Sequence, residues 1–268
     1  MRRKLISSLL LFVLVFQAVV AFGASNAVHA EDTTVYVTIA NAGTLEVTYA
    51  PVTVTDIDGD GALTVSDALT IAHTDYYPAG AEGFLAVNGA YGLSVSRLWG
   101  VDTTAVGYYV NNVSAWSLAD TVQNGDSIVA WVYKDTAGWS DKYCYFDLNT
   151  VSVKSQDTVT LTLSSYSYDA SWNLVSSPLS DATVTIDGVA TDVKTDAAGK
   201  ATITLNNAGT AVISAVSDTI IVPPVCLATV SSVPSTGVGS SMLIAAAVLC
   251  LISLLLFSAA YAKKAKRA

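Results

Sequence analysis

The chain has 268 residues, which is enough for one or two domains with hydrophobic cores, and its formal net charge is −9. Residues 31–241 hold all 22 acidic side chains but only six of the 13 basic ones, so this part alone has a net charge of −16. A surface this acidic excludes nucleic acid and anionic lipid as binding partners of that part.

The amino terminus carries the features of an export signal. Basic residues at positions 2–4 precede an apolar run from Leu5 to Phe22, and Val28-His29-Ala30 has small residues where a signal peptidase would cut. The sequence therefore predicts that residues 1–30 are a secretory signal peptide and that the mature chain begins at Glu31.

The mature chain opens with two predicted strands, at 35–40 and 45–54. Apolar and polar residues alternate through both segments, which is the pattern of strands with one buried face. Asn41-Ala42-Gly43 between them favours a tight hairpin turn.

A twelve-residue acidic loop follows, at residues 56–67. Acids stand at its first, third, fifth and twelfth positions and glycine at its sixth, which is the pattern of an EF-hand calcium loop. The predicted Ca²⁺ ligands are Asp56, Asp58, Asp60, the Ala62 carbonyl, Thr64 through water, and Asp67 in place of the usual glutamate. The alternative is an Asp/Gly-rich turn without metal. Four clustered acids repel one another unless a cation lies among them, which favours calcium.

A helix is predicted at 65–77, because apolar residues recur there at three- and four-residue spacing. Thr64 or Ser66 would cap it, and Pro78 and Gly80 would end it. An aspartate at loop position twelve followed by this helix resembles the half-motif of dockerin modules. Dockerins carry two such loops and this sequence has one, so the resemblance implies calcium binding rather than cohesin docking.

Further strands are predicted at 92–99, 107–111 and 127–134. The order of strand, strand, helix and then strands is that of a β-grasp-like α+β domain, in which one helix packs across a sheet.

Several short motifs of this region follow one another at the spacing of a known family. They are 63–69 (LTVSDAL), Leu98-Trp99-Gly100, 107–111 (GYYVN), Asn124-Gly125-Asp126 and Tyr133. In order and spacing they resemble the bacterial transcobalamin-like C-terminal domain, a domain of surface proteins of Gram-positive bacteria. The resemblance covers about Thr33 to Leu148 and places the first domain at 31–152. In animal cobalamin carriers, a related domain covers one face of the corrinoid.

A β-sandwich is predicted at 155–231, because short strands recur there at regular spacing with glycine turns. The predicted strands are 159–163, 182–186, 200–205, 210–215 and 220–230. The segment 195–200 (TDAAGK) resembles the hairpin of Ig-like or carboxypeptidase-regulatory-like modules of bacterial surface proteins. The resemblance implies a spacer domain.

Two of the three cysteines, Cys144 and Cys226, lie in the exported part, where disulfides persist. They either pair with each other or are two buried free thiols, and the sequence leaves both alternatives open. The third, Cys250, falls in the predicted membrane helix as a packing residue.

Aromatic residues are the candidates for recognition. Those of the first predicted domain include Tyr108, Tyr109, Trp116, Trp131, Tyr133, Trp139, Tyr143 and Tyr145. Trp116 and Trp139 lie in predicted loops, so they are expected to bind an extracellular glycan, protein or small molecule. The alternative for the whole set is an aromatic core. His73 is the one histidine after the signal peptide and has no catalytic partner in a recognised motif, so no enzymatic activity is expected.

The carboxyl terminus has the features of a surface anchor. A flexible linker at 232–241 contains Val233-Pro234-Ser235-Thr236-Gly237, which resembles the wall-sorting signal cut by sortases, with valine in place of leucine. Residues 242–262 carry no charge and are long enough to span a bilayer, and the basic tail at 263–268 would stay in the cytoplasm. The alternative is a permanent single-pass anchor.

These predictions describe a mainly β, secreted protein that remains at the surface of a Gram-positive bacterium. The expected function is calcium-dependent binding or adhesion. The first alternative is an extracellular carrier of a small, corrinoid-like ligand, which would require a deep apolar pocket in the first domain. An enzyme would instead require convergent titratable groups.

Overall fold

The computed structural model describes residues 33–90, 92–171 and 173–232. The predicted signal peptide (1–30), sorting motif (233–237), membrane helix (242–262) and basic tail (263–268) lie outside these residues. Within them the chain is mainly β, and no helix is long and apolar enough to cross a membrane.

The secondary structure of the described part consists of strands, one α-helix and one short 3₁₀ helix. The strands are β1 (Thr33–Asn41), β2 (Thr44–Val54), β3 (Leu85–Gly89), β4 (Gly92–Leu98), β5 (Val101–Asp102), β6 (Val106–Val110), β7 (Val113–Ser114), β8 (Ser127–Val132), β9 (Lys142–Phe146), β10 (Thr150–Lys154), β11 (Thr158–Tyr168), β12 (Leu174–Pro178), β13 (Thr183–Ile186), β14 (Val189–Lys194), β15 (Lys200–Thr204), β16 (Gly209–Val216), β17 (Ile221–Val222) and β18 (Cys226–Ser231). The α-helix, α1, spans Val65–Tyr76, and the 3₁₀ helix spans Gly80–Gly83.

The first unit, residues 33–134, is a mixed sheet with one helix packed against it. Its strand order is β2-β1-β8-β6-β7, in which β1 and β8 run parallel and the other pairs antiparallel. Val35, Val37 and Ile39 of β1 are fully buried in one core with Leu69 of α1. Each such side chain stabilises the fold by about 1.5–3 kcal/mol relative to leaving it exposed. A sheet with one helix across it is the arrangement that the order of predicted elements indicates.

The connection between β1 and β2 is a two-residue turn. Asn41 pairs with Thr44, and the residues between them, Ala42 and Gly43, have φ of 47° and 88°. Positive φ at both central positions is typical of a type I′ turn, whose twist matches that of the flanking strands. The hairpin predicted at Asn41-Ala42-Gly43 is therefore present, and its end lines a cleft against the second unit.

Helix α1 ends at Tyr76, one residue earlier than predicted. Tyr77 has φ −82° and ψ 137°, the extended conformation that steric contact with a following proline imposes, and Pro78 follows it. A second, three-stranded sheet of order β3-β4-β5 packs against the same core through Val95 and Leu98.

The second unit, residues 142–231, is a sandwich of two sheets around its own core. One sheet has the order β10-β18-β16-β13-β14. The other has the order β12-β11-β9-β17, with β15 also paired to β11. Leu161, Leu163 and Ile213 are buried in the core between the sheets. The regular short strands and glycine turns of the sequence predict this architecture.

Two strands of the sandwich lie in the segment that the sequence assigns to the first domain (31–152). β9 pairs with β11 and β17, and β10 begins within that segment and pairs with β18. The loop that joins the two units is therefore 135–141. The Asp141 carboxylate closes this loop by accepting hydrogen bonds from the backbone N–H of Lys134 at 2.7 Å and of Asp135 at 2.9 Å.

The predicted strand at 220–230 is interrupted by Pro223 and Pro224, which have no N–H to give to a sheet. The chain instead forms β17 in one sheet and β18 in the other. The predicted hairpin Thr195–Lys200 is a tight turn, but β14 and β15 on its two sides belong to different sheets. In both places the chain crosses between the two layers of the sandwich.

An aromatic cluster joins the two units. Tyr109 of β6 stacks on Tyr143 of β9, with ring centroids 4.2 Å apart and ring planes 5° apart. Trp131 of β8 lies 5.4 Å from the same Tyr143, and Tyr166 of β11 lies 6.1 Å from it. Gly107 makes room for this packing, because a Cβ at that position would lie 2.1 Å from the Trp131 indole.

Candidate metal centre

The acidic loop connects the end of β2 to the start of α1. Three of its four acids, Asp56, Asp58 and Asp60, are exposed, and each places a carboxylate oxygen within 4.8 Å of the other two. Carboxylate oxygens are the hard ligands that Ca²⁺ prefers, and a backbone carbonyl such as that of Ala62 and water would complete a shell of six to eight oxygens. The donor set therefore fits a calcium ion.

Backbone amides hold the loop around Asp56. Its Oδ1 accepts hydrogen bonds from the N–H of Gly59 at 2.7 Å and of Asp60 at 3.2 Å, and its Oδ2 accepts one from Gly61 at 2.9 Å. The Gly61 amide is the largest cause that lowers the pKa of Asp56 from its ordinary value. Gly59 and Gly61 have φ of 77° and 87°, a left-handed conformation that favours glycine. The loop is thus curled around an ionised carboxylate by its own backbone.

The two other side-chain ligands predicted, Thr64 and Asp67, have a different role in the structure. Asp67 is buried, and its Oδ2 accepts hydrogen bonds from Thr64 N at 2.9 Å and Thr64 Oγ1 at 2.7 Å. Thr64 Oγ1 in turn accepts one from Asp67 N at 3.2 Å. This reciprocal pair is a capping box, which satisfies free amides of the first helical turn.

Asp67 also ties the two ends of the loop together. Its Oδ1 accepts a hydrogen bond from the N–H of Ile57 at 3.0 Å, so one carboxylate joins the second residue of the loop to the first turn of α1. The structure therefore gathers three of the predicted carboxylates into the candidate site and uses the fourth to fix the frame that carries them. A threonine three residues before an acid is the sequence signal for this cap.

The two tryptophans predicted as binding residues differ in how far they project. Trp116 is 94% exposed, and its backbone N–H donates to Asp120 Oδ2 at 2.9 Å, which orders the loop. Trp139 is 57% exposed and stacks on Tyr133 at 6.0 Å, while its indole N–H donates to the Thr136 carbonyl. Trp116 is therefore the freer of the two to contact a ligand.

Most of the other aromatic candidates serve packing. Tyr109, Trp131, Tyr143 and Tyr145 belong to the cluster between the units or pack against it. Tyr109 is half-buried there, and this burial raises its pKa to about 12. These rings therefore form an aromatic core, the alternative that the sequence leaves open, and this core lies between the two units.

Cys144 and Cys226 are free thiols and both lie in the core of the second unit, on β9 and β18. Burial raises the pKa of each to about 12, so neither thiol is ionised near neutral pH. Any bond between them would cross the sandwich within one unit rather than join the two units.

His73 is fully buried in α1 and has both ring nitrogens engaged. Its Nδ1–H donates to the Leu69 carbonyl at 2.6 Å, and its Nε2 accepts the N–H of Trp99 at 3.1 Å. Burial lowers the pKa of His73. A neutral imidazole with two hydrogen bonds that packs against the rings of Phe84 and Trp99 has a structural role.

Fold and site together define a mainly β protein of two units with an acidic loop suited to a divalent cation. No family model and no curated protein sequence matches the chain.

Among solved structures, the chain is similar to the N-terminal four Ig domains of Dscam1 isoforms 4.44 and 7.44. The TM-score is 0.23 in both cases, at 10% and 9% identity, over 75% of this chain and 45% of those chains. It thus spans less than half the length of the Dscam1 chains. It is also similar to the ectodomain of the teleost fish polymeric Ig receptor, with a TM-score of 0.19 and 10% identity over 56% of this chain and 73% of that one. Because these TM-scores are far below 0.5, the likeness gives this chain neither a fold family nor a function.

Proposed function

We propose that this protein is a calcium-binding, surface-anchored binding or adhesion protein. The observation that supports this most is the cluster of Asp56, Asp58 and Asp60, whose oxygens lie within 4.8 Å of one another. Three ionised carboxylates at that separation repel one another, and a divalent cation between them replaces the repulsion by attraction.

Calcium in this loop would act on the first unit as a structural ion. The loop joins β2, which pairs with the central strand β1, to α1, whose apolar face fills the core. An ion held between these elements stabilises the folded state alone, because the unfolded chain does not gather the three carboxylates. The ligand-binding surface of the unit would then be kept in one arrangement outside the cell.

Thermal unfolding of the purified chain tests this proposal. We expect added calcium to raise the unfolding midpoint and EDTA to lower it, whereas Asp58→Asn removes the difference. Asp75→Asn is the matched control, because Asp75 is an exposed acid of α1 outside the cluster and its loss changes the net charge equally. Equal responses of the two variants to calcium would refute the metal site.

The finer part of the proposal concerns display on the cell. A β-grasp-like, transcobalamin-C-like first domain would stand on an Ig-like or carboxypeptidase-regulatory-like spacer, with Trp116 available to a glycan, protein or small molecule. Sequence alone supports the anchor: a signal peptide at 1–30, the sorting-like motif at 233–237 and the apolar segment at 242–262. The host would be a Gram-positive bacterium, as the family resemblance implies.

Cell fractionation separates the two forms of anchoring. If a sortase cuts after Thr236 and joins it to the wall, wall-digesting enzymes release the protein and Thr236 is its carboxyl-terminal residue. Release by detergent alone, at full length, would establish the permanent membrane anchor and contradict wall sorting.

A further inference from the structure

A cleft of about 450 Å³ lies between the two units. One wall is the end of the β1–β2 hairpin, with Thr44, Leu45 and Thr48. The other wall is formed largely by β13 and β16 of the sandwich, with Thr185 and Ser214. Small-molecule sites in proteins occupy about 300–1,000 Å³ and occur preferentially at the junctions of domains. The size and place of this cleft therefore suit a ligand rather than a packing defect.

Two hydroxyl groups on the sandwich wall point to the kind of ligand that the cleft would bind. Thr185 and Ser214 stand directly opposite each other on antiparallel strands, and both line the cleft. Each side chain is only 5% exposed. Among the described residues neither hydroxyl is hydrogen-bonded to the protein, yet neither is fully shut off from solvent, because the buried side-chain polar atom without a partner there is Nε1 of Trp131.

These hydroxyls keep some contact with water and spend no hydrogen bond on the protein, so both are available to a ligand. Their neighbours on the inner face of the same strands, Val184 and Ala215, are apolar and fill the core of the sandwich. Thr185 and Ser214 therefore face away from that core, and any hydrogen-bond partner that they take, water or ligand, comes from the cleft.

The chemistry of the lining limits what that partner is. Hydroxyls come from both walls, Leu45 and Val216 add apolar surface, and no Lys or Arg lines the cleft. The one charged group is the exposed Asp187, whose Oδ1 already accepts the N–H of Val212 at 2.8 Å. Without a basic side chain, and on so acidic a surface, an anion is not favoured.

We propose that this cleft binds a small, uncharged, polyhydroxylated molecule of mono- or disaccharide size, which bonds to Thr185 and Ser214. Because the ligand touches the hairpin of the first unit and the sandwich of the second, it holds the two units in one relative position. The proposal does not rest on the metal centre.

Saturation-transfer NMR with the full chain tests the proposal. The probes are glucose, N-acetylglucosamine, maltose and lactose, and a detergent without a sugar headgroup is the negative control. We expect at least one probe to bind at millimolar concentration. The double variant Thr185→Val plus Ser214→Ala should raise its dissociation constant about tenfold or more, because the ligand loses two hydrogen bonds. Failure of all four sugars to bind overturns the proposal.

Two controls keep the test decisive. Since the hydroxyls have no protein partner, the double variant should unfold at the wild-type temperature or above it. A lower unfolding temperature with sugar binding retained would give the hydroxyls a structural role and overturn the proposal.

Thr44→Trp, at an exposed position of the opposite wall, should block the cleft and abolish binding. Thr160→Val, which removes an exposed hydroxyl bonded to Thr202 on β15, should leave binding unchanged.

Discussion

His73 joins α1 to the β4–β5 turn through Nε2, while its Nδ1 bonds to the Leu69 carbonyl of the same helix. The bond that it accepts from Trp99 requires Nε2 without a proton, so protonation breaks the link and places a charge among buried rings. The carboxylates of Asp56 and Asp102, whose pKa values are lowered below 3.8, titrate at much lower pH. As the only histidine after the predicted signal peptide, His73 dominates the titration of the mature chain just below neutral pH.

The lowered pKa of His73 predicts that the free energy of unfolding decreases as the pH is lowered through the weakly acidic range. Below the unfolded value of about 6.5, the unfolded chain binds a proton that the folded chain excludes, so the stabilisation is complete above that pH and is lost towards the folded pKa. One proton gives a slope of at most about 1.4 kcal/mol per pH unit. Urea unfolding at about pH 7.5 and about pH 5.5 should show this slope. His73→Phe should be less stable but lack the slope; an unchanged slope in that variant would contradict the assignment.

The start of α1 is the element in which sequence patterns overlap. Asp67 is both the twelfth residue of the acidic loop and the third residue after the Thr64 cap. One aspartate thus fits a calcium motif and a capping box, and spacing along the chain does not decide between them. In the structure its carboxylate accepts three hydrogen bonds from Thr64 and Ile57, which leaves the cluster to Asp56, Asp58 and Asp60.

This division of roles predicts different effects for two aspartates. Asp67→Asn should lower the free energy of unfolding by about 1–3 kcal/mol, because an amide NH₂ replaces one of the accepting oxygens. It should keep the rise of the unfolding midpoint on adding calcium. Asp58→Asn should cost little without calcium and lose that rise. If Asp67→Asn abolishes the calcium response as fully as Asp58→Asn does, Asp67 is a ligand and the cap is secondary.

Local patterns predict the elements well where their causes are local. The β1–β2 turn, α1 and the alternating strand β11 follow from residues close together in the chain. β9 and β10 are assigned to the wrong side of the unit boundary because their partners, β11, β17 and β18, lie further along the chain. The apolar run at 220–230 predicts one continuous strand, but Pro223 and Pro224 within it divide the segment into β17 and β18.

In the whole molecule, the aromatic contact between the two units is the feature that is hardest to predict from the sequence. Its rings come from β6, β8, β9 and β11, so the pattern along each strand shows aromatic residues but not their shared contact. The contact is also held by a hydrogen bond of 2.7 Å from the Tyr143 hydroxyl to Asn112 Oδ1. Most of the aromatic residues that suggest recognition when taken singly pack between the two units, which leaves Trp116 and Trp139 as the exposed candidates.

Isothermal titration calorimetry of the purified chain is the direct measurement of calcium binding by the acidic loop. We expect one calcium ion per chain, with a Kd of about 10⁻⁴ to 10⁻³ M, the range of extracellular calcium modules. Binding should be lost in Asp58→Asn and retained in Asp75→Asn. No measurable binding to the wild-type chain, or binding of equal affinity in both variants, would contradict this expectation.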